Sequence, residues 1–283
     1  YDKVESFIGV SGQNLGLSQL PDGVFLPPME MNAVEKMIKD RIAENFDGRV
    51  MTIGRAAHLT KAHNGRGKCQ FRNRCMRGCP YGGYFSTQAS TLPAARATRN
   101  LTLRPNSIVT EVVYDDKTQK ATGVRVLDAE TKTTHEFFAK VIFLNASALA
   151  SAQILLQSTS ERFPNGLGND SDQVGRNVMD HHFKVGASGD VEGFEDRYYR
   201  GKRPNGIYVP RFRNLDKSSW MKEYIRGYGY QGGASRSGYG HHVAEAQFGA
   251  EYKDATSRPG KWRFGMTGFG ECLPYEDNRI ILK

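Results

Sequence analysis

Residues 101–158 carry the pattern that most constrains the fold of this chain. Three segments rich in β-branched and aromatic residues, starting near Leu101, Ala121 and Thr134, are separated by short polar turns, which predicts an antiparallel meander. The third segment runs on into "KVIFLNA", a short apolar run typical of a buried strand. A small-residue turn then opens "SALASAQILLQSTS", for which we predict a helix. A strand, a small-residue turn and a helix in this order let the backbone approach a phosphate or ribose closely.

Two further helices are predicted before the meander. Residues 31–46 place Val34, Ile38 and other apolar residues at three- and four-residue spacing, which indicates an amphipathic helix. Residues 86–100 form the second helical segment, with Ser86 as the candidate N-cap. After residue 182, glycine and tyrosine become dense, and alternating segments such as "RFGMTGFGECLP" and "NRIILK" predict a large sheet with close backbone contacts. The fold class is therefore α+β or mixed.

Charge and composition limit the classes of function. The net charge of +9 is compatible with a nucleic acid, an anionic membrane surface or an acidic partner. The charge is not gathered in one block, and its densest stretch, Arg197–Asn214, is interpreted as a solvated surface loop. The tyrosines within that stretch, Tyr198, Tyr199 and Tyr208, could stack on bases, but we expect no nucleic-acid partner. No run of about 18 apolar residues occurs, so we expect no transmembrane segment in this chain.

Three of the four cysteines lie within eleven positions, at Cys69, Cys75 and Cys79. Three thiolates on a loop rich in glycine and arginine are able to converge on a soft metal centre, and the arginines would lower the thiol pKa values. Zinc is an alternative, with His63 as the nearest candidate for a fourth ligand. A disulfide that leaves one free thiol, and packing without any ligand, are the other two interpretations.

Four segments, taken in order, resemble one family. Residues 75–87, 106–126, 140–158 and 174–182 are similar in order and spacing to the glucose–methanol–choline (GMC) oxidoreductases, which are FAD enzymes that oxidise sugars and alcohols. The resemblance implies part of an FAD-binding, Rossmann-like domain, together with a substrate domain built on a large, mostly antiparallel sheet flanked by helices.

The resemblance also implies a division of the chain. Residues 1–61 would be a cap or substrate-domain segment with one helix, residues 62–182 part of the FAD-binding domain, and residues 183–283 the sheet of the substrate domain, truncated at its C-terminal end. The family's GxGxxG turn, which grips the FAD pyrophosphate, has no counterpart in this chain. We therefore expect an internal fragment of a longer flavoenzyme that is inactive and free of FAD by itself.

Ten residues match family positions that pass close to FAD: Gly82, Gly83, Ser86, Val109, Asn145, Ala146, Ser147, Asn177, Asp180 and His181. The first three match the stretch under the flavin, where glycine permits close backbone approach. The valine matches a strand position whose backbone holds the adenine, and the next three match the small-residue turn near the adenosine. The last three match a segment that runs past the flavin, although local pairing is the structural alternative for that segment.

The chemistry implied by the resemblance is oxidation of a hydroxyl group of a sugar, glycoside or other alcohol. The hydroxyl proton passes to a histidine and the hydride to flavin N5. That histidine is expected beyond the C-terminal end of this chain, so no catalytic residue is assigned. The pair His241 and His242 does not match the catalytic segment and is interpreted as strand or loop histidines.

A bacterial branch of the family suggests a role for the cysteines. In the flavin subunits of membrane-linked sugar dehydrogenases, similar cysteines hold a [3Fe–4S] cluster that relays electrons to a cytochrome subunit. The resemblance thus implies such a cluster on Cys69, Cys75 and Cys79, a cytochrome or other electron-acceptor protein as partner, and a periplasmic location.

A non-catalytic, zinc-clipped carbohydrate-binding module is the alternative function. It accounts for the cysteines and the aromatic residues but not for the ordered FAD-like segments. Tyrosines and Trp262 suit the flat C–H faces of a sugar, although ordinary sheet packing is the alternative for each of them.

Overall fold

The structure is a computed structural model that describes residues 1–198, 200–224, 226–236, 248–257 and 259–283. His241, His242 and Tyr199, which the sequence analysis considered, lie outside these described residues.

The described part of the chain has five helices; the second, third and fourth match predicted segments, one with a shifted start, and the first and last were not predicted. They are α1 (Asp2–Ile8), α2 (Ala33–Asn45), α3 (Thr91–Ala97), α4 (Ala148–Gln157) and α5 (Ala250–Ser257). The N-cap of α3 is Ser90, whereas the sequence predicted Ser86. Ser86 is used in a preceding turn, where its Oγ accepts from the Ala89 N–H at 3.1 Å. None of the helices in the described part of the chain combines the length and the apolar character that a membrane crossing requires.

The strands form two sheets. They are β1 (Thr52–Ile53), β2 (Ser107–Asp115), β3 (Lys120–Asp128), β4 (Thr134–Phe138), β5 (His181–Val191), β6 (Ile207–Val209), β7 (Gly229–Arg236) and β8 (Trp262–Glu271). The larger sheet has the order β1-β6-β7-β8-β5 and the smaller one the order β2-β3-β4. The pairs β1–β6, β6–β7, β7–β8, β2–β3 and β3–β4 are antiparallel. The predicted mixed fold with a large antiparallel sheet is confirmed.

The chain divides into two compact units. Unit 1 contains residues 1–101 and 182–270, and unit 2 contains residues 102–181 and 271–283. The cysteine loop therefore groups with the larger sheet, whereas the sequence placed it with the meander. The functional domains at 1–61, 62–182 and 183–283 stay predictions.

The core of unit 1 lies between α2 and the larger sheet. Ile42 of the helix packs with Met51, Ile207 and Val209, and all four are buried. Partly buried apolar side chains, including Ile38, extend this cluster. Burial of these apolar faces supplies the main driving force for docking the helix. The predicted amphipathic face of α2 is confirmed.

A buried carboxylate ties the start of α2 to the sheet. Glu35 is fully buried and accepts from Nη1 and Nη2 of Arg203, both at 2.6 Å. It also accepts from the backbone N–H groups of Asn32 and Ala234, each at 3.0 Å. Because all these donors converge on one side chain, the helix start, β7 and the segment before β6 are fixed together.

Glycines allow the strands of the larger sheet to approach closely. A Cβ on Gly232 would lie 2.0 Å from the Gly265 carbonyl oxygen, and one on Gly206 would lie 2.0 Å from the Gly232 carbonyl oxygen. Both contacts are with backbone, which cannot rotate away. A side chain at either position would therefore force the strands apart.

Unit 2 consists of the meander and α4. Ser158 follows this helix, and its Oγ accepts from the Val112 N–H at 2.8 Å and donates to the Ile154 carbonyl at 2.6 Å. The hydroxyl therefore joins the helix to β2. The predicted meander and the predicted helix are confirmed.

Two predicted strands of unit 2 are wrong. Residues 140–147 are irregular, with Val141 67% and Phe143 81% exposed, although the sequence predicted a buried strand. β4 ends at Phe138, and the described residues offer no ladder partner to the stretch that follows. Residues 278–283 are also irregular, and the Ile280 N–H donates to the Gly175 carbonyl at 2.8 Å. An apolar run forms a strand only where a neighbouring strand pairs with it.

Candidate functional site

The cysteine loop is held against residues 57–59. The Cys69 N–H donates to the Leu59 carbonyl at 2.8 Å, and the Leu59 N–H donates to the Gly83 carbonyl at 2.7 Å. Cys75 opens a short 3-10 turn that ends at Arg77. The loop thus has a defined backbone at both of its ends.

The two glycines predicted to lie under the flavin have a structural role in this loop. A Cβ on Gly83 would lie 2.9 Å from the Cys69 nitrogen and 3.1 Å from its Cα. Gly82 has a left-handed φ of +64° and lies against the Arg66 side chain. The loop therefore needs glycine at both positions, and contact of Gly82, Gly83 and Ser86 with flavin stays a prediction.

The environment of the three thiols is asymmetric. Burial alone would raise the pKa of the Cys79 thiol, but the backbone N–H groups of Tyr84, Tyr81, Gly83 and Gly82 lower the pKa below its usual value. Burial raises the pKa of the Cys69 thiol, and the charges of the two other thiols raise it further. The Phe71 N–H, whose nitrogen lies 3.4 Å from the Cys69 sulfur, lowers this pKa in part. Cys75 and Cys79 are therefore close enough to Cys69 for their charges to act on its thiol.

Cys79 is expected to react with iodoacetamide at a lower pH than Cys69, because the thiolate is the nucleophile. Since the pKa of Cys79 is lowered and that of Cys69 is raised, the alkylation rate of Cys79 should reach its plateau first as the pH rises. The folded apoprotein is pulse-labelled at each pH and only then denatured and digested. Mass spectrometry of the peptides measures both rates in one sample. Equal midpoints for the two residues would contradict the asymmetric environment.

The alternatives for the cysteines are narrowed by the structure. All four cysteines are free, so none is in a disulfide. In the described ranges, no group of three or more His, Cys, Asp or Glu side chains is arranged to hold a metal ion. His63, the candidate fourth zinc ligand, has its Nε2 2.7 Å from the Ser6 carbonyl oxygen. These findings do not distinguish a zinc site from a cluster, and the ligand of the three cysteines stays a prediction. Cys69, Cys75 and Cys79 would be the residues to hold a cluster, and N–H groups near sulfur would suit such a ligand.

The adenosine-side residues lie in unit 2. Val109 pairs with Val126, and a β-bulge follows between Val109 and Glu111. A bulge leaves the extra residue, Thr110, out of the ladder, so the backbone next to Val109 is not fully committed to the sheet. Asn145, Ala146 and Ser147 are exposed and lead directly into α4.

Ser147 is the strained position of this turn. Its φ of 80° and ψ of 166° lie in a region that is nearly restricted to glycine. Its Oγ accepts from the Ala150 N–H at 3.5 Å, which is a long capping hydrogen bond. The turn therefore has a glycine-like backbone at Ser147.

Ser147→Gly is expected to stabilise unit 2 by about 1 kcal/mol. Relief of the strained φ should exceed the few tenths of a kcal/mol that are lost when the serine cap is removed. Ala152→Gly, inside α4, is the matched control and should destabilise by about 1 kcal/mol. Hydrogen–deuterium exchange of the α4 amides measures both variants. Faster exchange in Ser147→Gly would show that the serine cap outweighs the strain.

The segment predicted to pass the flavin makes local contacts. The Asp180 carboxylate accepts from the His181 N–H at 2.7 Å, and His181 Nδ1 lies 3.0 Å from Glu271 Oε1. Asn177 has a left-handed φ of 58° and donates to Gln173 at 2.9 Å. All three predicted residues are exposed, and their contact with the cofactor stays a prediction.

A cavity of about 530 Å³ in unit 1 contains polar groups that the sequence analysis missed. Arg55, His58 and Asn205 line it. Each has buried polar atoms without a hydrogen-bond partner. These are Nε and Nη2 of Arg55, both ring nitrogens of His58, and Oδ1 of Asn205. The available signal was an arginine and a histidine in the otherwise small and apolar stretch after β1, "GRAAHL".

A second cavity, of about 640 Å³, is also in unit 1 and is basic. Lys36, Arg200, Lys202 and Arg203 line it together with Glu30 and Glu35. The stretch Arg197–Asn214 supplies three of these cations, but it also contains the buried strand β6, so its interpretation as a solvated loop is wrong in part. Of the two interpretations of Trp262, the structure supports sheet packing and not sugar stacking. Its indole is 2% exposed and donates to the Phe194 carbonyl at 2.8 Å, so Trp262 is a core residue.

Comparisons with known proteins identify the family of this chain. The profile of the family described as GMC oxidoreductase matches residues 43–183. The fructose dehydrogenase large subunit of Gluconobacter japonicus is 25% identical over the whole chain, and the 2-methyl-1,2-propanediol dehydrogenase of Mycolicibacterium austroafricanum is 26% identical. Paromamine 6'-oxidase of Streptomyces fradiae is 29% identical over 63% of the chain and 32% of its own length. The chain spans about half the length of the first two relatives, 51% of each. The chain belongs to the GMC oxidoreductase family.

Proposed function

We propose that the protein oxidises a hydroxyl group of a sugar, glycoside or other alcohol, with FAD as the hydride acceptor. The observation that carries the proposal is the family match over residues 43–183, which covers the cysteine loop, the meander and the turn before α4. The names of the relatives point the same way, since fructose, 2-methyl-1,2-propanediol and paromamine all carry hydroxyl groups. No residue of this chain is assigned as the proton acceptor.

Two features of unit 2 suit the adenosine part of FAD. The bulge beside Val109 leaves backbone groups available for the adenine edge. The turn at Ser147 exposes the N-terminus of α4, which favours a phosphate or the hydroxyls of a ribose. FAD, when bound, supplies the acceptor for the hydride. The residues of this chain would orient the cofactor rather than react with it.

Electrons would leave through a [3Fe–4S] cluster on Cys69, Cys75 and Cys79, towards a cytochrome or another electron-acceptor protein. The lowered pKa of Cys79 supports a ligand at that position, because a metal ligand has to be a thiolate, whereas Cys69, whose pKa is raised, would have to lose its proton on binding. Four backbone N–H groups around that sulfur would also stabilise the negative charge of a cluster.

The test is the cofactor content of the whole protein that carries this chain, purified without oxygen. We expect one flavin, about three irons and matching sulfide per chain. Cys79→Ser should lose iron and keep flavin, whereas the matched control Cys272→Ser should keep both, because Cys272 lies outside the loop. Flavin without iron would remove the cluster and leave the oxidation of alcohols in place. Absence of flavin would overturn the proposed function.

A further inference from the structure

The excess positive charge of this chain comes from one region of its sequence. Residues 48–110 contain eleven lysines and arginines and no aspartate or glutamate. The rest of the chain carries 28 lysines and arginines against 30 acidic residues, so it is nearly neutral. The net charge of +9 therefore has a local source, which is a region without acids rather than a run of cations. Its field acts most strongly on a molecule that approaches the exposed cations of this region.

Four of these cations are exposed on the cysteine loop, and two further cations are exposed on a segment that packs against the loop. The Lys202 N–H donates to the Phe71 carbonyl at 2.9 Å, and Arg72 and Lys202 form an isolated bridge. A Cβ on Gly201 would overlap the Phe71 carbonyl oxygen, so the two segments are in direct backbone contact. We call the six exposed cations the basic loop surface: Lys68, Arg72, Arg74, Arg77, Arg200 and Lys202.

The charge of the basic loop surface is only partly neutralised. Among the residues that the structure describes, none of the six cations forms an ion pair. The cavity beside Arg200 and Lys202 is also lined by two carboxylates. One of them, Glu35, already accepts from Arg203, so Glu30 offsets part of the charge. The surface therefore keeps a large positive excess, and its arginines stay charged at any physiological pH.

The side chains of this surface have the composition of a protein–protein interface. Met76 is 93% exposed, and Tyr81, 46% exposed, lies under the Arg72 guanidinium at 5.8 Å from its ring centre. Arginine, methionine and tyrosine are enriched in such interfaces, whereas lysine is depleted. Four of the six cations are arginines. The surface thus offers apolar anchors together with charge.

The backbone of the surface favours a protein over a membrane. Basic clusters that bind lipid commonly lie on an amphipathic helix or beside a membrane-spanning helix. Here the cations of the cysteine loop lie on irregular backbone with one short 3-10 turn, Cys75–Arg77. Such a loop has no continuous apolar face to insert between lipids.

We propose that the basic loop surface docks a protein whose contact face is rich in aspartate and glutamate, with Met76 and Tyr81 as its apolar contacts. Cys75 and Cys79 belong to the same loop, so the docked protein lies next to the cysteines. The role of this partner as the electron acceptor rests on the proposed function. The docking itself requires neither flavin nor a cluster.

Two haem proteins of similar size and opposite charge test the inference on the whole protein that carries this chain. The acidic soluble domain of cytochrome b5 should bind at least about tenfold more tightly at low salt than the basic mitochondrial cytochrome c. Raising the salt to physiological ionic strength should weaken the binding of cytochrome b5, because salt screens exposed charges. Bio-layer interferometry measures all of these affinities.

Two double variants locate the docking site. Arg74→Gln with Arg77→Gln should weaken the binding of cytochrome b5 by about three- to tenfold. Arg96→Gln with Arg99→Gln is the matched control, because it removes the same charge from exposed arginines of the same acid-free region outside the surface. It should leave the affinity unchanged. Circular dichroism identifies a variant that does not fold, and the comparison of the two haem proteins on the unsubstituted protein then decides the question.

Three results would overturn the inference: equal binding of the two haem proteins, binding that salt does not weaken, or equal losses in the two double variants. Tighter binding of phosphatidylglycerol vesicles or of duplex DNA than of cytochrome b5 would replace the protein partner by a membrane or a nucleic acid. Selective binding of cytochrome b5 by a protein without flavin and iron would retain the surface while the proposed function fails. Flavin and iron in a protein that does not prefer cytochrome b5 would retain the function and remove this inference.

Discussion

Glu35→Gln is expected to lower the free energy of unfolding of unit 1 by about 3 to 5 kcal/mol, the usual cost of removing one partner of a buried ion pair. Glutamine keeps nearly the same volume and the N3 capping position but leaves the Arg203 guanidinium, 14% exposed, without its counter-charge. Denaturant unfolding followed by tryptophan fluorescence measures the loss. Trp220 and Trp262 both lie in unit 1, so the signal reports that unit alone.

Two variants separate the ion pair from a general effect of charge. Glu44→Gln makes the same change at an exposed site on α2 and should alter stability by less than about 0.5 kcal/mol. Arg203→Met combined with Glu35→Gln should cost less than the two single changes added together, because neither charge is then left unpaired. Additive losses would mean that the two side chains do not act as a pair.

Gly232→Ala is expected to cost about 3 kcal/mol or more, since its Cβ would lie 2.0 Å from the Gly265 carbonyl oxygen and the overlap is with backbone. Gly232 also lines both cavities, so their walls should change with the loss of sheet order. Gly189→Ala makes the same change in β5 of the same sheet, where nothing lies within 4 Å of the new Cβ. That control should lose no stability, and equal losses in the two variants would contradict the clash.

Periodic patterns predicted the elements whose partners lie close in sequence. The spacing of Val34, Ile38 and Ile42 predicted α2, and the alternation after residue 106 predicted the meander, because hairpin neighbours supply each other's hydrogen bonds. The order of four short segments predicted the family, which the comparison with known proteins confirms.

Features that depend on distant residues could not be predicted in this way. The environment of "KVIFLNA" is set by whether another strand pairs with it, which composition does not encode. The cavity joins Arg55 and His58 to Asn205, about 150 positions later, through the β1–β6 pairing. Trp262 was considered for sugar stacking because its type suits that role, whereas its burial follows from the register of β8.

The exposed apolar side chains between the end of β4 and the start of α4 have a consequence for the behaviour of the protein in solution. Phe138, Val141, Phe143 and Leu149 are each more than half exposed, and they follow one another closely along unit 2. Exposed apolar side chains next to backbone without a ladder partner promote association with other molecules. Preparations of this chain should therefore scatter more light as their concentration rises, bind apolar fluorescent dyes in the native state, and remain clear longer when a mild detergent shields this stretch.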